Sequence, residues 1–149
     1  MTIIERIQSE LQDAMKSGDR VRLDALRLLY SALQRAEKDR PAGEFTDQDA
    51  LAVLRRERKQ RVEAAEAYRT AGQEQRAAAE EADIPVIDAY LPAAMSEADL
   101  EALVDAAIAE TGASTVKDMG RVMGLVTQRA EGRADGRTAS ALVRSRLSA

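Results

Sequence analysis

Aliphatic residues recur every three or four positions along most of this chain, and no useful length alternates with the period of a strand. Residues 2–17, for example, place Ile3, Ile7 and Leu11 on one face of a helix. Aromatic residues make up only 3% of the sequence, so a core must be built from Leu, Val, Ile, Met and Ala. That composition favours packed helices over sheets. The sequence therefore predicts an all-α fold.

Residues with the chemistry of helix caps and turns divide the chain into helices. The predicted helix starts are Thr2 with Glu5, Asp19, Thr46 with Asp49, and Ser96 with Asp99. Gly18 and Gly112 are predicted to end helices, and Gly72 to break or bend one. Pro85 is expected to begin a new short helix or to kink the existing one. The last helices are predicted at about 115–130 and 136–147.

The pair Leu91-Pro92 is the predicted domain boundary, because a proline disfavours helix at the residue before it. We expect a larger N-terminal helical domain, residues 1–91, followed by a small C-terminal helical bundle, residues 92–149. Tyr90, just before the boundary, is expected to lie in the core or at a domain interface.

The composition argues against a self-contained active site. The chain has no histidine and no cysteine, which removes the usual imidazole base, thiolate nucleophile and nitrogen–sulfur metal site. No glycine-rich nucleotide loop is present. We therefore expect no catalytic residue, no metal and no cofactor. The lack of cysteine and of any apolar run near the roughly 20 residues that span a bilayer predicts a cytoplasmic protein with no membrane partner.

The net charge of −4 argues against indiscriminate nucleic-acid binding, so any such binding must use a local patch. One candidate patch is RERKQR at 56–61, where Arg56, Lys59 and Arg61 could contact phosphates. The alternative is a solvated helix supported by a Glu57–Arg61 pair. Arg58 falls on the buried stripe of this helix and should snorkel or find an acidic partner.

The second candidate patch begins at Ser114, where seven basic residues stand against three acidic ones, a local charge of +4. Its predicted phosphate-contacting residues are Lys117, Arg121, Arg129, Arg133 and Arg137.

Four glycines in this region suggest close approach of another backbone. Gly120 and Gly124 lie together on one flank of the predicted helix, where each costs roughly 1 kcal/mol against alanine. They could admit a neighbouring helix or the backbone of a ligand. Gly132 and Gly136 in EGRADG are expected to adopt positive φ, with Asp135 capping the last helix. Arg133 and Arg137 would then lie at a helix N-terminus that attracts anions, although the segment also reads as an ordinary connection.

Several motifs in this order resemble the stand-alone YqeY-like proteins. They are RERKQR at 56–61, DAYLP at 88–92, KDMGRVMG at 117–124 and GRADG at 132–136. That family is similar to the C-terminal part of the B subunit of tRNA-dependent amidotransferase, the GatB/YqeY domain. The resemblance covers essentially the whole chain and implies a helical N-terminal part followed by a compact helical tail.

In the amidotransferase, the helical and tail portions engage tRNA, while a separate cradle activates the acyl group with ATP. The resemblance thus implies a recognition module, although family-level labels often carry a carbon–nitrogen ligase activity with glutamine as amido-N-donor. The sequence has no counterpart of the ATP-binding cradle. Our leading hypothesis is a non-catalytic module that binds tRNA by shape and phosphate contacts. The alternatives are a protein-interaction adaptor whose grooves receive a partner helix, and an accessory part of a ligase that acts only with other subunits, such as amidotransferase or other translation-related proteins.

Overall fold

The computed structural model describes residues 1–148, which form seven α-helices and one 3-10 turn at Val116–Asp118. The helices are α1 (Ile3–Ser17), α2 (Arg20–Lys38), α3 (Asp47–Thr70), α4 (Glu74–Asp88), α5 (Glu97–Thr111), α6 (Met119–Ala130) and α7 (Gly136–Ser148). No strand occurs within this range, so the all-α prediction is confirmed.

The predicted caps begin four of these helices. In each case a side-chain oxygen accepts a hydrogen bond from the backbone N–H three residues later, as a helix cap does. The caps are Thr2, Asp19, Thr46 and Ser96. Gly18 and Gly112 end α1 and α5 in the left-handed conformation, with φ of 75° and 69°. Gly72 likewise takes a positive φ, of 76°, between α3 and α4.

The predicted new helix at Pro85 is wrong, because α4 runs without interruption through this residue to Asp88. Pro85 lies in the last turn, where its missing N–H leaves the carbonyl of Glu81 without its usual partner. Two residues later Ile87 is completely buried in the core. Because the helix continues, the Ile87 side chain is buried, which contributes about 1.5–3 kcal/mol of stability. This gain offsets the free-energy cost of a proline in the helix.

The chain divides into two compact units. The first, Met1–Leu91, contains α1–α4. Its core is aliphatic, as the composition predicted, and its large side chains with less than 2% exposure are Ile7, Leu26, Leu29, Leu33, Leu54 and Ile87. Tyr90 is also buried in this core, with 7% exposure.

The second unit begins at Pro92 and contains the 3-10 turn and α5–α7. The three helices all pack against one another. Valines fill the centre of this small core, with Val104, Val122, Val126 and Val143 at most 1% exposed. Met119 and Met123 are only partly buried at its edge.

Candidate nucleic-acid interface

Two of the four basic residues of the RERKQR segment on α3 form ion pairs that link α3 to α4. Arg58 donates from Nε to Asp88 at 2.6 Å, which confirms the expected acidic partner. Arg61 pairs with Glu57 at 2.6 Å and lies 3.8 Å from Asp83, and its side chain is only 12% exposed. Burial raises the pKa of Asp83, an effect that nearby Arg61 opposes. Arg58 and Arg61 are therefore structural cations that join two helices.

Two of the predicted contact residues on α3 remain at the surface. Lys59 is 77% exposed and lies 4.0 Å from Glu63, a weak pair in solvent. Arg56 is exposed and makes no ion pair within residues 1–148. Arg61, in contrast, is nearly covered, so it is poorly placed to reach a phosphate. The first unit thus offers two neighbouring cations from this motif, one helical turn apart on α3.

The acidic helix α5 offsets much of the local charge predicted for the second unit. From Pro92 onward the chain carries seven basic and eight acidic residues, a net charge of −1. Arg129 on α6 contacts Glu110 at 2.6 Å, and Arg146 on α7 contacts Asp105 at 2.9 Å. The local charge of +4 counted from Ser114 onward is therefore only partly available to an anionic ligand.

These two ion pairs show which edges of α6 and α7 face α5. Since the three helices pack against one another, the opposite edges of α6 and α7 must lie next to each other. With about 100° per residue, counting from buried Val126 places Gly120, Gly124 and Thr127 on the α7-facing and outward side of α6. The same count from buried Val143 places Arg137 and Arg144 on the α6-facing side of α7. We call these five residues the α6–α7 outer face: Gly120, Gly124, Thr127, Arg137 and Arg144.

The glycines of the outer face are open to solvent. Gly120 and Gly124 are exposed, and a Cβ added at either would meet no heavy atom within 4 Å. The expectation that they admit a neighbouring helix of the same unit is therefore wrong for the described residues. The second interpretation, close approach of a ligand backbone, stays a prediction.

The two arginines of the outer face have no side-chain ion pair within 4 Å among residues 1–148. Arg144 is exposed and one heptad beyond Arg137, so both project from the same side of α7. Arg137 is exposed and close enough to Asp135 to contribute to lowering the pKa of that carboxyl. Sequence reasoning did not include Arg144 among the site residues, although its seven-residue spacing from Arg137 carried the signal.

The start of α6 is fixed by Asp118. Its Oδ2 accepts the N–H groups of Ser114 and Thr115 at 3.0 and 3.3 Å, and its Oδ1 accepts from Arg121 at 2.9 Å. The Ser114 hydrogen bond, then that of Arg121, holds the pKa of Asp118 below its ordinary value. Arg121 also donates to the carbonyl of Thr111 at 3.4 Å, although its side chain is 62% exposed. Lys117 is exposed beside this cluster and makes no ion pair within the described chain.

Arg133 anchors the turn between α6 and α7. Its Nε donates to the carbonyl of Ala93 at 2.9 Å, and its own carbonyl accepts from the N–H of Met95 at 2.8 Å. Gly132 adopts the predicted positive φ, 74°, but the second positive-φ residue is Glu131, with 50°. The expectation for Gly136 is wrong, because it is the first residue of α7 and needs no left-handed conformation.

The N-terminus of α7 already holds an anion. Asp135 accepts the N–H of Thr138 at 3.0 Å, as predicted for a cap, and this hydrogen bond is the main cause of its lowered pKa. Since the carboxylate occupies this position, an incoming phosphate would have to bind the side chains of Arg133 and Arg137.

Tyr90, from the DAYLP motif, organises a polar cluster in the first unit. Its hydroxyl donates to Glu10, and Arg6 lies over its ring at 4.7 Å from the centroid. Glu10 also pairs with Arg6 at 3.2 Å and with Arg22 at 3.3 Å. Burial alone would raise the pKa of Glu10, but the hydrogen bonds from Tyr90 and Arg6 lower it. The cluster ties α1, α2 and the end of the first unit together.

No group of three or more metal-ligating side chains occurs in residues 1–148. In the same residues, no helix is long and apolar enough to cross a membrane.

The family comparison covers nearly the whole chain. A family model described as "Yqey-like protein" matches residues 4–147, which includes every predicted site residue. No curated protein matches the chain.

Proposed function

We propose that this chain, which belongs to the YqeY-like family, is a cytoplasmic RNA-binding module whose α6–α7 outer face contacts the phosphate backbone. Transfer RNA is the first candidate ligand. Lys117 and Arg133 lie at the two ends of α6 and would extend the contact beyond the outer face. Arg121 and Arg129 would add charge while they keep their internal partners.

The observation that carries this proposal is the pairing of bare backbone with unpaired cations. Gly120 and Gly124 leave an open strip on α6, and helical spacing puts Arg137 and Arg144 on the side of α7 that we infer to lie next to α6. A sugar-phosphate chain can approach such a strip closely, and arginine binds phosphate oxygens in bidentate geometry. Only four aromatic residues are present in the chain, so base stacking would contribute little.

The choice of tRNA rests on the motifs that resemble the amidotransferase B subunit. In that enzyme the corresponding tail engages tRNA, whereas acyl activation belongs to a cradle that this sequence does not resemble. We therefore propose recognition without ligase chemistry. A chain with no histidine or cysteine would take part in amide formation only through other subunits.

The test is a binding titration of labelled tRNA by fluorescence anisotropy at two salt concentrations. Replacing Arg137 and Arg144 together by Ala breaks no ion pair among the described residues, so folding should be unaffected. We expect affinity to fall about tenfold or more, and the slope of log K against log salt to become shallower by about 2, because two phosphate contacts are lost.

The matched control is Arg56→Ala with Lys59→Ala, which removes the same charge from an exposed part of the first unit. Near-wild-type affinity is expected for this control. Equal losses in both double variants, or binding that does not respond to salt, would rule out the outer face as the phosphate site.

A further inference from the structure

Two large apolar side chains lie exposed on α2, in the first unit. Val21 is 57% exposed and Leu28 is 52% exposed. They are seven residues apart, so they lie on the same side of the helix, about 10 Å apart along its axis. On the same helix, Leu26, Leu29 and Leu33 are at most 1% exposed on the core side. Val21 and Leu28 are therefore not part of the buried apolar face by which α2 packs into the core.

A cleft continues this apolar edge onto α4. Its volume is about 300 Å³, and its apolar lining comes from Val21 on α2, from Pro85 and Val86 on α4, and from Ala89 just after α4; Asp19, Arg22 and Tyr90 complete the lining. The proline also leaves this last turn without one N–H group. The cleft and the two exposed side chains together form what we call the α2–α4 groove.

The edge of the groove on α2 is basic. Helix α2 carries five basic and two acidic residues, although the whole chain has a net charge of −4. Arg20, Arg35 and Lys38 make no ion pair within residues 1–148, and Arg27 has only a 4.0 Å contact with Asp24. Helical spacing places Arg20, Arg27 and Lys38 in one band about 80–120° round the helix from Val21 and Leu28, with Lys38 about 15 Å beyond Leu28 along the axis.

Four of the five acidic residues of α4 are engaged by arginines of α3, and only Glu80 has no ion pair within residues 1–148. Asp88 is paired with Arg58, Asp83 lies beside Arg61, and Glu81 is paired with Arg69. An apolar groove with an unsatisfied positive edge thus remains on a unit whose net charge is −3.

We propose that the α2–α4 groove binds an acidic amphipathic helix of a partner protein. The apolar face of that helix covers Val21, Leu28 and the cleft, and its acidic flank pairs with Arg20, Arg27 and Lys38. This is the helix-in-groove mode of recognition, in which apolar anchors repeat at intervals of three, four and seven residues. The site is distinct from the α6–α7 outer face, so either can be correct without the other.

The exposed aliphatic side chains favour a protein partner over RNA at this groove. A phosphate backbone gains little from Val21 and Leu28, whereas covering apolar surface contributes about 25 cal/mol per Å². The flanking arginines supply the charge complementarity that sets partner choice and association rate.

The test is selection from a displayed library of 18-residue helical peptides against the full chain. Leu is fixed at positions 4, 8, 11 and 15, and the other positions vary among Glu, Lys, Gln and Ala. We expect enriched peptides to carry many more Glu than Lys on one flank. Their affinity should be at least tenfold weaker for the Val21→Glu, Leu28→Glu double variant. The control is Val116→Glu, which changes a valine that is 44% exposed in the second unit and should leave peptide affinity unchanged.

A second variant separates charge recognition from any loss of folding. With Arg20→Glu and Arg27→Glu, the same library should instead yield Lys-rich peptides. Failure to enrich any peptide, selection of Lys-rich peptides by the wild-type chain, or binding that survives both double variants would overturn the proposal. It would also be overturned if the arginine variant lost tRNA affinity while no peptide was selected, since the band would then be an RNA surface.

Discussion

At the scale of single residues, Tyr90 joins three parts of the first unit. Its hydroxyl donates to Glu10 on α1, Glu10 pairs with Arg22 on α2, and Tyr90 itself follows α4. Burial, followed by the hydrogen bond to Glu10, raises the pKa of Tyr90 far above its ordinary value. The phenol therefore stays protonated, which keeps it a donor to the Glu10 carboxylate.

Tyr90→Phe should destabilise the first unit by about 1–2 kcal/mol, because a partly buried hydrogen bond to a charged group is lost while the ring remains. Urea denaturation measures the change. Tyr68→Phe is the control, since no hydrogen bond of the Tyr68 hydroxyl occurs among the described residues and only a ring contact with Arg76 is seen. Equal stability of the Tyr90 and Tyr68 variants would contradict the role of the cluster.

Arg61 and Arg56 belong to one motif but have different surroundings. Arg61→Met should cost about 2 kcal/mol of stability, because Glu57 and Asp83 lose their charged partner, and should leave tRNA affinity unchanged. Arg56→Met should change the free energy of unfolding by less than about 0.5 kcal/mol, as for other exposed positions. Thermal denaturation and anisotropy together separate these effects. An Arg61 variant with wild-type stability and weak RNA binding would mean that Arg61 is a contact residue after all.

At the scale of helices, the outer face of α6 keeps two residues that oppose helix formation. Gly120 and Gly124 have ample space for a methyl group. Replacing both by Ala should raise the free energy of unfolding by about 0.5–1 kcal/mol each, because alanine has the higher helix propensity. If a ligand backbone needs the bare strip, the same double variant should bind tRNA at least several-fold more weakly.

The two readouts make this variant informative, because a packing role and a binding role predict opposite patterns. Lower stability would show that the glycines serve the fold. Higher stability with unchanged affinity would remove the glycines from the binding site.

Local chemistry in the sequence was sufficient to predict most helix boundaries, although not the uninterrupted α4 at Pro85, and it could not predict which surfaces the helices cover. Cap residues such as Thr46 and Ser96 act within three positions, so the pattern located those starts. Helical spacing placed Gly120 and Gly124 on the same side of α6. It could not show whether another helix covers them, and the structure shows that none does among the described residues. The sequence also could not assign Arg61 to Asp83, or Arg129 to Glu110, because those partners come from other helices.

At the scale of the whole molecule, the chain has a net charge of −4 and a proposed ligand that is an anion. In the second unit, acidic α5 forms ion pairs with Arg129 and Arg146, whereas other cations of this unit have no such pairs and are available to an anionic ligand. Repulsion by the overall charge should keep non-specific RNA binding weak. The proposed RNA recognition therefore requires the shape and charge of one surface.

The most direct measurement is a titration of the isotope-labelled protein with tRNA, followed by the NMR signals of its backbone amides. We predict that the largest shifts occur at Gly120, Gly124 and Thr127 on α6 and at Arg137 and Arg144 on α7. Signals from Glu101 and Asp105, on the side of α5 that faces Arg146, should change little. Shifts confined to α5 or to the first unit, or no shifts at all, would contradict the proposal that the α6–α7 outer face binds RNA.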